Sequence, residues 1–129
     1  MGGFRGSPAQ KWIEKALQDL DLADRAMQPP RLPALACFHA QQAAEKALKS
    51  VAARLGAGNV PKTHNLLELA DIIRQRGGTV PFPDHQLAEL IPYAVEARYP
   101  GGPEPSVPAA ARALHIAHEI VRWAQNLVT

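Results

Sequence analysis

Apolar side chains recur along this chain every three or four residues, in runs separated by Pro, Gly or both. That period marks helices with one buried face. The central run, from Pro33 to Leu55, has no internal Gly or Pro and is filled with strong helix formers. At about 100° per residue, Cys37, Ala40, Ala44, Ala47, Leu48, Val51 and Leu55 share one arc, and its three alanines let a neighbouring backbone come close. Ahead of it, Ser7, Pro8 and Gln10 spell an N-cap, a first helical position and a capping box. Trp12, Ile13, Ala16, Leu17, Leu20, Ala23 and Met27 then form the stripe of a first helix that Pro29-Pro30 ends.

Gly56 closes the central helix as a C′ residue. Asn65 caps a third helix carrying Leu66, Leu69, Ala70 and Ile73, which stops at Gly77-Gly78. Asp84 is the expected cap of a fourth, with Leu87, Leu90, Ile91, Ala94 and Val95, and Pro92 either kinks it or marks a new start. Pro100 and the Gly- and Pro-rich stretch 101–108 end it. The last helix, about 108–127, buries Leu114, Ala117, Ile120, Val121, Ala124 and Val128. No strand pattern occurs. The expectation is an all-α, antiparallel up-and-down helical bundle of four long helices and one shorter, with 1–7 a flexible arm and 8–129 one domain.

Composition agrees with this. Hydrophobic residues make up 47% of the chain but aromatics only 5%, so the core is mainly aliphatic and alanine-rich. Fourteen basic and twelve acidic residues leave +2 with no long run of one sign, which argues against a dedicated DNA binder. A lone Cys37 on a buried face suits a reducing compartment, and neither a signal peptide nor a membrane-length apolar run is present. The chain is therefore expected to be cytoplasmic.

A second stripe on the central helix, His39, Gln42, Lys46 and Lys49, is either a solvated face or a polar groove that holds a ligand. The histidines His39, His64, His85, His115 and His118 complete no recognised metal pattern, and no Gly-rich phosphate loop or paired-Cys zinc pattern is found. No metal and no cofactor is expected.

CFHAQQAAEKALK, then PKTHNLLEL after a short loop, then EARYP at 96–100, occur in the order found in HEPN (higher eukaryotes and prokaryotes nucleotide-binding) domains, which the chain resembles from about Trp12 to Leu127. The resemblance implies a small helical bundle that binds a nucleotide or RNA, or a protein partner such as a nucleotidyltransferase in a toxin–antitoxin-like pair. It also implies a homodimer. Many such proteins are metal-independent ribonucleases in which an Arg, four to six residues and a His form the active motif. Arg98 and Tyr99 stand at that place, but no His follows in the window. Arg112 and His118 match formally, yet their side chains point about 240° apart on one helix, a chance match.

The ligand-binding candidates are thus Arg98, Tyr99, Lys62, His64, His39, Gln42 and Lys46: a guanidinium fork for phosphate, a ring for stacking, and a cationic loop beside the polar stripe. Each also has a plain structural use, in capping, packing or solvation. The leading expectation is a binding module with a degenerate catalytic motif. The alternatives are a ribonuclease using Arg98 with a His from elsewhere, and a bundle whose only work is oligomerisation. Ile116 and Trp123 widen the apolar arc of the last helix and are the expected dimer face.

Overall fold

The computed structural model of the protein describes residues 6–56, 59–95, 100–101 and 104–129. Among them the elements are α1 (Pro8–Ala26), α2 (Pro33–Arg54), α3 (Leu66–Gln75), α4 (Asp84–Leu90) and α5 (Val107–Val128), with a 3₁₀ turn, Ile91–Ala94, after α4. No strand occurs among the described residues, so the all-α bundle stands.

Local chemistry sets the boundaries. The Ser7 hydroxyl accepts the backbone N–H of Gln10 at 3.1 Å, and Pro8 opens α1 where a missing donor costs nothing. The Gln10 side chain turns forward to Glu14 instead of back to Ser7, so the cap is single and not a box. Asn65 accepts from Leu67 and Glu68 at the head of α3, and Ser106 accepts from Ala109 at the head of α5. Asp84 is not the cap of α4. Pro83 holds that position, and the Asp84 carboxylate takes a hydrogen bond from Arg74 at 3.2 Å. Pro92 marks a new start: the α-helix stops at Leu90 and the backbone tightens to a 3₁₀ turn, because proline brings no N–H to continue the ladder.

The second helix is the axis of the molecule. Helices α1, α3 and α5 all pack on it, and it is buried around most of its circumference. Its Ala36, Ala40, Ala43, Ala44 and Ala47 are fully buried, alongside Cys37, Leu48 and Val51. Methyl-sized side chains let the neighbouring backbones close in. Contacts fix the directions: Trp12 lies by Lys49 while Asp19 lies by His39 and Lys46, so α1 and α2 run antiparallel. The loop after α2 returns the chain so that α3 begins beside Glu45 and ends beside Gly56, where Arg76 donates to the Gly56 carbonyl at 2.8 Å.

Ile116 and Trp123, the expected dimer face, are packed to different degrees within the single chain. Ile116 is 0% exposed within the single chain, on the centre of the α5 face that includes Ala113, Ala117, Ile120 and Ala124. Leu114, expected there, is only half-buried. Trp123 is half-buried and meets the edge of Phe82 at 5.5 Å and 86°. Phe82, from the 79–83 link, thus covers part of the indole within the chain.

Candidate functional site

The polar stripe of α2 does not face open water. It meets α1 and the loop before α3, and it is organised by two buried carboxylates. Asp19, at the edge of the apolar stripe of α1, lies with Oδ1 2.9 Å from His39 Nδ1, and its Oδ2 accepts from Lys46 Nζ at 2.5 Å. His39 and Lys46 stand two turns apart on α2, so one carboxylate from α1 bridges both.

Glu45 forms the second cluster and is only 3% exposed. Its Oε2 accepts from Lys49 Nζ at 3.0 Å, and its Oε1 accepts from Gln41 Nε2 at 3.1 Å and lies 2.8 Å from His64 Nδ1. Gln41, Glu45 and Lys49 are successive fourth residues of α2 and form a ladder along one ridge. Lys49 also sits 5.1 Å above the Trp12 ring, a cation–π contact from α1. Gln41 donates again to the His64 carbonyl at 3.3 Å and accepts from Gln42 at 2.6 Å. Among the described residues, no buried side-chain nitrogen or oxygen lacks a partner. Buried charge is tolerated only on such terms.

The two clusters have the same plan: a carboxylate inside, one lysine neutralising it, one histidine against it. Lys46 and Lys49 are therefore committed, and with His39 half-buried they do not form a row of free cations for phosphate. His64 differs. Its side chain is 65% exposed although Nδ1 is tied to a buried carboxylate. The Nδ1 contact with Glu45 orients the ring so that Nε2 faces outward. That gives an oriented imidazole at the surface, able to form a hydrogen bond with something outside. Lys62, two residues earlier, is exposed.

Arg112 and His118 are not brought together. The Arg112 guanidinium makes a paired contact with Glu89 of α4 at 2.7 and 2.9 Å, while His118 Nε2 lies 2.8 Å from Asp24 of α1. One helix thus uses them on two different neighbours. The hydrogen bond and charge of Arg112 hold the Glu89 carboxyl below its ordinary range. Arg98 and Tyr99 lie outside the described residues. So do residues 1–5 of the expected arm.

Cys37 is fully enclosed, and burial pushes its thiol up to about 11. The neighbouring Tyr93 hydroxyl offsets part of that rise. Among the described residues no three His, Cys, Asp or Glu side chains converge as a metal site. No helix there is long and apolar enough to cross a membrane.

The HEPN domain family matches over residues 9–127. Crystal structures of similar shape include TT1696 from Thermus thermophilus, with 28% identity and a TM-score of 0.78 over 93% of this chain and 98% of that one. Another is ST0689, an archaeal HEPN homologue, with 23% identity and a TM-score of 0.70 over 94% of this chain and 98% of that one. No curated protein matches.

Proposed function

The chain belongs to the HEPN domain family, and from that premise we propose that it is a non-catalytic binding module for a nucleotide or RNA, acting as a homodimer alongside a nucleotidyltransferase partner. One observation carries the non-catalytic part. The window after Arg98 contains no histidine, and the formal Arg–His pair of the chain, Arg112 and His118, is held by Glu89 on one side and Asp24 on another. A general acid or base must reach the proton that it moves, so a divided pair cannot act together on one ribose hydroxyl.

His64 and Lys62 support the binding part. An imidazole fixed by Glu45 meets a ligand with little loss of side-chain freedom, and Lys62 adds a cation suited to phosphate. The test has two arms. Purified protein incubated with single-stranded RNA in chelator should leave it intact, and robust cleavage lost in Arg98→Ala would overturn the non-catalytic reading. Titration with ATP and with a short oligonucleotide should show saturable binding weakened in His64→Ala and Lys62→Ala; equal affinity in all three proteins would move the ligand elsewhere. Light scattering checks the pairing, and a wild type that stays at the 13.9 kDa of one chain at high micromolar concentration would refute it.

A further inference from the structure

Where α2 and α5 end, Val51, Arg54, Leu55, Trp123 and Leu127 surround a cavity of about 340 Å³, closed on one side by the Gly77–Thr79 turn. The cavity opens to the surface, and 300 Å³ is roughly where small-molecule pockets begin. The walls are an indole and three aliphatic side chains. The Trp123 indole is fixed by its edge contact with Phe82, so one wall keeps its place. Leu127, also lining it, is 49% exposed.

The turn lies close against the core. At Gly78 an added Cβ would lie 2.6 Å from Leu55 Cδ1 and 2.8 Å from an Ile73 methyl, so backbone replaces side chain there and lies directly on the core. At Gly77, with φ of +86°, a Cβ would meet nothing within 4 Å. The turn therefore walls the cavity with main chain and sends no side chain into it from those two positions.

Charge gives the cavity its selectivity. Arg76 is occupied by the Gly56 carbonyl, Arg74 by Asp71 and Asp84, and Arg112 by Glu89. Arg54, which lines the cavity, has no hydrogen-bond or ion-pair partner among the described residues, and no carboxylate among those residues lines it. A guanidinium at the edge of an apolar pocket is half of a carboxylate site, since its planar fork matches two carboxylate oxygens. We propose that this cavity binds a small apolar carboxylate, its hydrocarbon or aromatic body against Trp123, Val51 and Leu55 and its charged end on Arg54. The site is separate from the His64 face and does not depend on the reading of that face.

A matched pair of probes tests this by isothermal titration: 2-naphthoate, and 2-naphthalenemethanol, of similar shape without the charge. Wild type should bind one naphthoate per chain, about tenfold or more tighter than the alcohol, as hydrogen bonds to charged groups allow. Arg54→Gln should remove that preference while leaving alcohol affinity unchanged, and Trp123→Leu should weaken both. Arg54 is exposed, so its variant should keep the wild-type melting curve, which is measured in parallel. Absence of saturable naphthoate binding to wild type, or an unchanged preference in Arg54→Gln, would overturn the proposal. Undiminished binding in Trp123→Leu would do the same.

Discussion

Glu45 holds His64 at 2.8 Å from inside the bundle, though the glutamate is almost wholly buried and the histidine largely exposed. The two residues therefore carry unequal weight. Glu45→Ala strips Lys49 of its counter-ion in a buried setting and should cost about 3–5 kcal/mol. His64→Ala removes a mostly solvated ring and should cost less than about 1 kcal/mol. Chemical denaturation of both variants checks this, and equal losses would mean that the cluster is far wetter than its burial implies.

Ile116 gives a second prediction. Because the single chain already buries it, Ile116→Ala should destabilise by about 2–5 kcal/mol without changing the association state. Denaturant melts and light scattering on one sample separate the two readouts. A stable variant with altered association would place Ile116 in the pairing face.

Cys37 predicts an alkaline effect with a definite sign. Its thiol is raised from 9.0 to about 11 in the fold, so the unfolded chain ionises first as pH rises. Its contribution is fully present below pH 9.0 and is lost between there and about 11. The stability difference between wild type and Cys37→Ala should shrink across that window and stay flat below it. Maleimide labelling of native protein at neutral pH should be slow and should become rapid in denaturant.

Gly78→Ala should be the worst of the glycine-to-alanine changes in the turns. It forces a methyl into Leu55 and Ile73, an overpacking cost of about 1–3 kcal/mol. Gly56→Ala meets open space and carries only the strain of a positive φ, about 1 kcal/mol. Thermal melts of the pair should preserve that order.

The helices were readable because their signals are local: Ser7 and Asn65 accept backbone donors within three residues, and Pro and Gly punctuate the rest. The polar clusters were readable only in part. His39, Gln42, Lys46 and His64 stood out, but Asp19 and Glu45, which organise them, did not. A charged residue is normally solvated, and period alone does not reveal burial. There was a faint signal: Asp19 falls at the edge of the α1 apolar arc, next to Leu20. The covering of Trp123 depends on Phe82, more than forty residues earlier, and no periodicity reports contacts at that range.

The alanine seam of α2 has a consequence beyond packing. Because methyl groups set the spacing of the helices, the shape of the α1–α2 face is decided separately from the charges displayed on it. A balanced set such as Asp19, His39 and Lys46 can be exchanged for another neutral set while the scaffold stays in place, provided the whole set changes at once. Selection acting one residue at a time must cross an intermediate with an orphaned buried charge. The frame is thus permissive, and its chemistry is inherited in blocks.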